Sequence, residues 1–422
     1  MLAWLVKLEE DLPLDKNPYN HRMTMLAESL IKNNHNVVRW ASALNHTTSE
    51  IRSSKTKTFE ISEKYKITLI KCIFRYYKKG SFLRILHIYL SSFLMFYKFL
   101  RTRKLDRPDI IVCSMPSPIT CLVCAIYSKI FRIKLIIDSR DMWPVILKDE
   151  AKGLKKFFIY PIYFLMLIEL KISMRIASAL YGITDEFVEY SLSFTSRQRT
   201  KFDRAFFLGF SKLNNISIKE EHSKKFWNDL NIFFTDTKII YFAGEISKSC
   251  FDAMHDVKHA MLEALSSKLN IQLVICGGGS KLEELRHVMS GLNNVHVVGR
   301  VSPQYLKMLK KNSFLALLSI GNRIDYESSL SNKFFDYMSG GLPILTNLNG
   351  VPKRFVTKNN IGFHYSDGKE LYTLLSKLSW QPETVYEMSQ NAINLYNSKY
   401  TSDSIYNEYT ISIEELLNEY DK

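Results

Sequence analysis

Short apolar runs alternate with amphipathic segments along the chain, and each such pair predicts a strand followed by a helix. Leu2 to Val6 is an uninterrupted apolar run, which is typical of a strand buried on both faces of a sheet. Apolar residues at helical spacing follow between Met23 and Ile31, and Val37 to Ala41 is the next strand-like run. This strand–loop–helix–strand order predicts the opening of a doubly wound α/β domain.

The same rhythm continues to the end of the chain. Further strands are predicted at Pro108–Cys113, Lys134–Asp138, Ala177–Ile183, Lys238–Gly244, Ile271–Cys276, Val295–Arg300, Phe314–Leu318 and Pro343–Leu345. Most strands of the second half end in glycine or small residues, so the backbone can approach a ligand at that edge of the sheet. A polar, charged stretch at Ser211–Asp229 interrupts the pattern. We therefore predict two domains, 1–210 and 211–422.

Composition narrows the range of possible binding partners. The chain has 422 residues, 46% of them apolar, and a formal net charge of +15. The charge indicates an anionic partner such as a phosphorylated ligand or an anionic membrane face, and no nucleic-acid recognition motif is present. Six scattered cysteines include the pair Cys121 and Cys124, whose apolar surroundings predict packed thiols rather than a metal site. A reducing cytoplasm fits, and the N-terminus does not resemble a signal peptide.

Two aromatic-rich segments carry basic residues, at Ser81–Leu105 and Lys155–Arg175. Their uncharged stretches are too short to span a bilayer. We read both as interfacial helices lying on an anionic membrane. The alternative is two core helices with solvated ends.

The stretch Ser328–Pro343 holds the most specific pattern. Small polar residues lead into a short apolar-periodic helix, which glycines end before a strand. Lys333 falls in the first turn of that helix, where free backbone N–H groups and an ammonium suit a phosphate. Asp336, one turn later, can hydrogen-bond sugar hydroxyls. The alternative is an ordinary capped helix with a solvated lysine and aspartate.

This stretch resembles the donor-site signature of retaining family 4 (group 1) glycosyltransferases of the GT-B fold, written P-[SN]-K-x-x-E-Y-M-A-x-G-x-P. The resemblance implies that Asp336 holds the nucleotide ribose, beside Asn332 and Lys333. The chain departs from the family twice. The acid is aspartate rather than glutamate, and the family's other glutamate falls on Ser328, with Glu327 one position away.

The first half resembles the same family at two places. Asp138–Pro144 matches a subgroup's D-x-R-D-x-W-P, whose loop is expected to face the acceptor and the reacting carbon. Three charges crowded at a strand end also suit a cleft better than a core. We therefore predict Asp138, Arg140 and Asp141 as catalytic. The segment 18–46 resembles the family's entry and implies an acceptor side with Asn20, Arg22 and His46. A surface-loop histidine is the alternative for His46.

In the second half the resemblance implies that the loop after Gly244 approaches the donor diphosphate. Lys248 is the nearest base there, and Glu245 stands where an arginine is often found. The predicted donor-binding set is Gly244, Lys248, Gly277, Gly278, Arg300, Ser328, Asn332, Lys333 and Asp336.

The predicted fold is therefore α/β GT-B, with two Rossmann-like domains facing a cleft and a C-terminal helix that crosses back to the first domain. The predicted activity is metal-independent, cofactor-free glycosyl transfer with retention. The donor is a nucleotide sugar, most readily a UDP-sugar, and the acceptor is an undecaprenyl-diphosphate-linked or other glycan. The setting is bacterial O-antigen or capsule synthesis on the cytoplasmic membrane face. Two alternatives stay open, a nucleotide-sugar 2-epimerase of the same fold and a non-catalytic membrane-docked partner.

Overall fold

The structure is a computed structural model that describes residues 1–16, 21–76, 82–150, 155–210, 219–234 and 237–419. It divides into two compact units. The first comprises Met1–Leu208 together with Ser402–Lys422, and the second comprises Gly209–Thr401. Each unit is built on its own sheet, so the prediction of two doubly wound α/β domains is confirmed.

The first unit contains a seven-stranded sheet in the order β3-β4-β2-β1-β5-β6-β7. Its strands are β1 (Leu2–Val6), β2 (Asn36–Ser42), β3 (Lys57–Ser62), β4 (Tyr65–Ile70), β5 (Ile110–Ser114), β6 (Lys134–Ser139) and β7 (Ala179–Gly182). Its helices are α1 (Arg22–Lys32), α2 (Phe82–Leu100), α3 (Pro118–Phe131), α4 (Val145–Glu150), α5 (Lys155–Ile176), α6 (Asp185–Leu192) and α16 (Ser402–Asn418). The chain moves outward from β1 to one side and returns to β5 on the other. The carboxyl ends of β1 and β5 therefore form a topological switch point, where sheets of this type bind ligands.

A hairpin of β3 and β4 lies within residues 47–80, for which the sequence predicted no strand. β3 pairs antiparallel with β4 and forms the edge of an otherwise parallel sheet. Its residues are mostly exposed and two of the six, Lys57 and Glu60, are charged, which protects an edge strand from pairing with other chains. Only Phe59 and Ile61 alternate with polar residues, so the pattern of a half-buried strand is too short to stand out.

The core of the first unit contains an aromatic cluster under β1 and β2. The rings of Trp4 and Phe99 lie 4.7 Å apart, and those of Trp4 and Trp40 lie 4.9 Å apart. Cys121 and Cys124 are buried in the same core, as packed small hydrophobes should be. Among the described residues no His, Cys, Asp or Glu cluster is arranged to hold a metal ion.

The second unit contains a six-stranded parallel sheet in the order β10-β9-β8-β11-β12-β13. Its strands are β8 (Lys238–Ala243), β9 (Ile271–Cys276), β10 (Val295–Gly299), β11 (Leu315–Leu318), β12 (Ile344–Thr346) and β13 (Gly362–His364). Its helices are α7 (Glu220–Asn228), α8 (Lys248–Ser266), α9 (Leu282–Met289), α10 (Pro303–Lys311), α11 (Ile324–Glu327), α12 (Asn332–Ser339), α13 (Gly350–Lys358), α14 (Gly368–Ser379) and α15 (Pro382–Leu395). The switch point of this sheet lies at the carboxyl ends of β8 and β11.

Two helices of the first unit leave large apolar side chains on the surface. The exposed ones are Phe82, Leu83, Leu86, Phe93, Leu94, Tyr97 and Leu100 on α2, and Phe157, Tyr160, Phe164, Leu165, Ile168 and Ile172 on α5. By length and composition alone α2 could cross a bilayer, although 33% of its most apolar window is buried in the unit. The sequence reading treated α2 as too short because it counted only the stretch between its charges.

Candidate functional site

The N-terminus of α12 lacks a side-chain cap. Ser331 is the N-cap residue, but its side chain makes no capping hydrogen bond. Its Oγ and the Oδ1 of Asn332 are buried atoms without a hydrogen-bond partner in the described part of the chain. Buried polar atoms usually find a partner. An uncapped helix start with two unpartnered oxygens is therefore suited to bind a polar group.

Lys333 brings an ammonium to the same helix end. Its Nζ lies 4.5 Å from the centre of the Phe242 ring. It also lies against Gly244, where an added Cβ would stand 2.2 Å from that nitrogen. Burial lowers the pKa of Lys333, although Cys250 and Glu245 oppose the shift. No ion pair to Lys333 occurs among the described residues, so its charge is available to an incoming anion.

The glycines after β8 and β9 allow neighbouring loops to meet. The N–H of Gly277 donates to the carbonyl of Gly299 over 2.7 Å. A Cβ on Gly277 would fall 1.7 Å from the Gly244 oxygen, and one on Gly278 would fall 2.8 Å from Nε of Arg300. The exposed Arg300 side chain therefore lies over Gly278. The structure thus brings Gly244, Gly277, Gly278 and Arg300 together at one edge of the sheet.

Lys248 is placed close to this edge by the start of a helix. It is the first residue of α8, and the N-cap Ser247 accepts a hydrogen bond from the Cys250 N–H. Its side chain is exposed, as is that of Glu245 in the preceding loop. Because α8 follows β8 directly, both residues lie at the carboxyl edge of the sheet.

Asp336 is held by a partner that sequence reasoning missed. Nζ of Lys310, in the last turn of α10, lies 2.6 Å from Oδ1 of Asp336. The same ammonium donates to Oγ of Ser339 over 3.2 Å. The Asp336 side chain remains 22% exposed. A lysine 26 positions away carries no local sequence signal, because only the packing of α10 beside α12 brings the two together.

Ser328 ends α11 as its C-cap residue and offers no carboxylate. Of its acidic neighbours, Asp325 forms a two-point ion pair with Arg323, at 2.6 and 2.7 Å. Oε1 of Glu327 accepts only a long hydrogen bond of 3.5 Å from Asn349. Asp325 is therefore engaged, whereas Glu327, one position from Ser328, keeps most of its acceptor capacity.

In the first unit, Asp138 and Arg22 form a closed pair. Nε and Nη2 of Arg22 donate to both oxygens of Asp138, at 2.7 and 2.9 Å, and neither side chain has exposed surface. Nη1 of Arg22 also donates to the carbonyls of Phe206 and Phe207. Because both carboxylate oxygens are bound by Arg22 and the side chain has no exposed surface, this geometry suits a residue that positions the end of β6.

Arg140 lies at a carboxylate that the sequence analysis did not single out. Oε1 of Glu10 accepts from Arg140 at 2.6 Å, and Oε2 accepts from Arg39 at 2.5 Å. Burial alone would raise the pKa of Glu10, but the two guanidiniums outweigh it and hold that pKa at about 2. The Arg140 side chain remains 17% exposed. Asp141, the next residue but one after β6, is half-buried.

His46 belongs to a second hydrogen-bond network, which is centred on Glu9, the residue before Glu10. Its Nδ1 lies 2.6 Å from the Tyr76 hydroxyl, which donates to Glu9 over 2.6 Å. Arg84 completes the network with an ion pair of 2.7 Å to Glu9. His46 lies beyond the carboxyl end of β2, and these contacts fix the orientation of its ring. The predicted acceptor residue Asn20 lies outside the described residues.

Glu9 and Glu10 could have been found from the sequence. Three consecutive acids, Glu9 to Asp11, come shortly after the buried strand β1. Charges at that place lie at the carboxyl edge of a parallel sheet, where ligands bind. The sequence analysis described this stretch only as a polar loop.

A known protein family matches part of the second unit. Residues 237–379 match the family model described as "Glycosyl transferases group 1". The matched segment runs from β8 to α14 and includes every residue of the predicted donor-binding set. No curated protein sequence matches the chain.

Solved structures are similar over nearly the whole chain. Sucrose-phosphate synthase from Thermosynechococcus elongatus has a TM-score of 0.70 at 12% identity, with 99% of each chain covered. HepE of Anabaena in complex with UDP-glucose has a TM-score of 0.63 at 12% identity, covering 98% of this chain and 99% of that one. A protein of Listeria monocytogenes, assigned as a UDP-N-acetylglucosamine 2-epimerase, has a TM-score of 0.58 at 11% identity, with 99% and 97% covered. At such identities the similarity shows the fold alone, which is GT-B.

Proposed function

We propose that this chain is a glycosyltransferase that moves a sugar, with retention, from a nucleotide-sugar donor to a lipid-linked glycan acceptor. The observation that carries the proposal is the Lys333 ammonium, unpaired among the described residues and half-buried beside Gly244 at the uncapped start of α12. A partly desolvated cation without a carboxylate partner is costly unless an anion binds it. The family match over residues 237–379 supports the same reading.

The donor diphosphate would bind at the switch point of the second sheet. Lys333 and the backbone N–H groups at the start of α12 supply positive charge from one side. Lys248 at the start of α8 and Arg300 after β10 supply it from neighbouring segments, and neither has an ion pair in the described part of the chain. These groups would stabilise the charge that develops on the leaving diphosphate without a metal ion. A UDP-sugar is the first choice because HepE was solved with UDP-glucose.

Asp336 would accept hydrogen bonds from the ribose hydroxyls. In the structure its carboxylate is held by Lys310 at 2.6 Å. This contact orients the carboxylate toward one side, and its remaining oxygen can accept from a sugar. The ion pair is compatible with the ribose role because a carboxylate accepts about four hydrogen bonds.

The first unit would bind the acceptor. Arg140 and Asp141 follow β6 with partly exposed side chains, and His46 follows β2. The buried pair of Asp138 and Arg22 would fix the position of the carboxyl end of β6. The exposed apolar side chains of α2 and α5 support docking on the inner face of the cytoplasmic membrane, where a lipid-linked acceptor in O-antigen or capsule synthesis is found.

The epimerase alternative shares the fold, as the Listeria protein illustrates. An epimerase needs acid and base groups around the sugar ring, and Ser328 supplies no carboxyl group. Incubation with a nucleotide sugar alone separates the two, because an epimerase changes the sugar without an acceptor.

Retention during transfer is tested by proton NMR, which gives the anomeric configuration of the product. Metal independence is tested with EDTA, which should leave the rate of transfer unchanged.

The first experiment is a thermal-shift panel of UDP, GDP, ADP, CMP and their common sugars, on wild type and Asp336→Ala. One nucleotide should raise the melting temperature of the wild type. Asp336→Ala should weaken its binding by about 1.5–3 kcal/mol, the size of a charge-assisted hydrogen bond. A nucleotide that binds both proteins equally removes Asp336 from the ribose site. No shift with any nucleotide favours the non-catalytic partner, in which Ser328 and Glu245 have abolished the donor site.

A further inference from the structure

The carboxyl end of β1 holds a buried lysine that the proposed mechanism does not use. Lys7 is the first residue after β1, and only 9% of its surface is exposed. The one hydrogen bond of its Nζ in the described structure is to the Met115 carbonyl, at a long 3.4 Å. An ammonium has three donors. Two of them are therefore without a protein acceptor.

Among the described residues no carboxylate forms an ion pair or hydrogen bond with this ammonium. Three acids influence it electrostatically, Glu10, Asp141 and Glu9. Glu10 already pairs with Arg39 and Arg140, and Glu9 pairs with Arg84. Four cations, Lys7 among them, therefore share three carboxylates. This leaves an excess of one positive charge at a nearly closed position. Burial and the neighbouring Arg140 lower the pKa of Lys7 to about 8, so it is still mostly protonated at neutral pH.

The fold adds a second source of positive potential at the same place. Met115, whose carbonyl Lys7 contacts, directly follows β5, and α3 begins three residues later at Pro118. The positive end of this 14-residue helix therefore lies at the switch point between β1 and β5. Arg140, with 17% of its side chain exposed, lies at the same edge.

We infer that the carboxyl ends of β1 and β5 form an anion site in which Lys7 and Arg140 bind a phosphoryl group, carried by the acceptor. The site follows from the uncompensated Lys7 ammonium and needs no assumption about the reaction. Its assignment to the acceptor rests on the proposed function. The donor diphosphate is the other source of the same chemistry.

The test uses the full chain in a Lys333→Gln background, which removes the proposed donor cation. Inorganic pyrophosphate is titrated calorimetrically into this protein and into versions that also carry Lys7→Met or Lys16→Met. Lys16 is the matched control, an exposed lysine on the same loop. Lys7→Met should weaken pyrophosphate binding at least tenfold, about 1.4 kcal/mol, and Lys16→Met should not. Unchanged affinity in Lys7→Met overturns the site.

The melting temperature of the free protein guards against a trivial loss of fold. Methionine removes a buried charge at similar volume, so Lys7→Met should leave the melting temperature the same or raise it by roughly 2 °C or more. Weaker binding together with a lower melting temperature would make Lys7 a structural residue and would also overturn the site.

Proteins that keep Lys333 show whether the phosphoryl group bound at Lys7 belongs to the acceptor or to the donor. A tenfold loss of geranyl diphosphate binding in Lys7→Met, with UDP binding retained, supports the acceptor. A loss confined to UDP overturns that assignment and gives the site to the donor. If Lys333→Gln leaves UDP binding intact, the proposed donor site fails, while the pyrophosphate result on Lys7 stands independently.

Discussion

At the scale of single residues, both switch points present a cation whose charge the described protein leaves uncompensated. Lys333 lies over Phe242 in the second unit, and Lys7 contacts the Met115 carbonyl in the first. Each lies immediately beyond the carboxyl end of a central strand or against the loop that follows it. Such uncompensated charges lower the free energy of unfolding, and a bound anion raises it again.

Lys333→Gln should weaken nucleotide binding by about 1.5–3 kcal/mol, roughly ten- to a hundredfold, because it removes a charged donor from the diphosphate. Gly244→Ala should do the same without removing the charge, since its Cβ would occupy the position of the ammonium. Titration calorimetry with the nucleotide found by thermal shift measures both. Lys358→Gln is the control, an exposed lysine at the opposite edge of the sheet. Equal affinity in all four proteins would contradict the donor site.

Glu10 should make the protein sensitive to acid. Its folded pKa of about 2 lies below the ordinary 4.5, so its contribution to the free energy of unfolding is complete above pH 4.5 and is lost as the pH falls toward 2. The shift corresponds to roughly 3 kcal/mol. Urea unfolding at pH 6 and pH 3 should show a smaller pH dependence for Glu10→Gln than for wild type. Glu63→Gln replaces an exposed acid in the β3–β4 turn and should behave as wild type. If the free energy of unfolding of Glu10→Gln depends on pH as strongly as that of wild type, the lowered pKa of Glu10 is refuted.

At the scale of elements, the Arg22–Asp138 pair joins parts of the first unit that are distant in sequence. Arg22 begins α1, Asp138 lies in β6, and the rings of Tyr406 and Tyr409 on α16 lie 6.0 and 5.2 Å from the guanidinium. The Tyr406 hydroxyl donates to the Leu208 carbonyl over 2.7 Å. One buried ion pair therefore fixes two helices and a strand.

Asp138→Asn should lower the free energy of unfolding by about 3–5 kcal/mol, because it leaves the Arg22 charge buried without its partner. Urea unfolding followed by circular dichroism measures the change. Asp106→Asn breaks the exposed pair with Arg103 and should cost no more than about 1 kcal/mol. Replacing both buried partners by apolar residues should cost less than Asp138→Asn alone. A small effect of Asp138→Asn would return this residue to the list of candidate substrate contacts.

The elements also show what a sequence can and cannot predict here. Buried parallel strands such as β1 and β8 are uninterrupted apolar runs, and they were found. The helix start at Asn332 was also found, because its small polar residues and following glycines are local signals. β3 was missed because its apolar alternation is limited to Phe59 and Ile61 within a polar, basic stretch. The partners Lys310 and Arg84 were missed because their contacts join residues 26 and 75 positions apart, which only tertiary packing determines.

At the scale of the whole molecule, charge and exposed apolar surface act together. The formal net charge is +15, and α2 and α5 expose aromatic side chains such as Phe93 and Phe164. Each lysine or arginine near an anionic membrane contributes about 1 kcal/mol, and salt screens it. The proposed membrane docking rests on these two properties.

Vesicles of phosphatidylglycerol and phosphatidylcholine should sediment the protein at low salt and release it at high salt. A Phe93→Ser/Phe164→Ser variant should bind less, because it loses buried apolar area at the interface. Trp380→Ser is the matched control, since Trp380 is 80% exposed but belongs to the second unit. Sedimentation that ignores anionic lipid would exclude the electrostatic part of this docking.

The discontinuity of the first unit has a consequence for the order of events on the ribosome. Ser402–Lys422 belongs to this unit, yet it is synthesised after the whole of Gly209–Thr401. At 5–20 residues per second, the intervening segment takes roughly 10 to 40 s to translate. During that time the first unit lacks α16, and the Arg22 guanidinium has no tyrosine rings beside it. The second unit is thus the first whose sequence is complete, and the first unit can reach its final packing only at the end of synthesis.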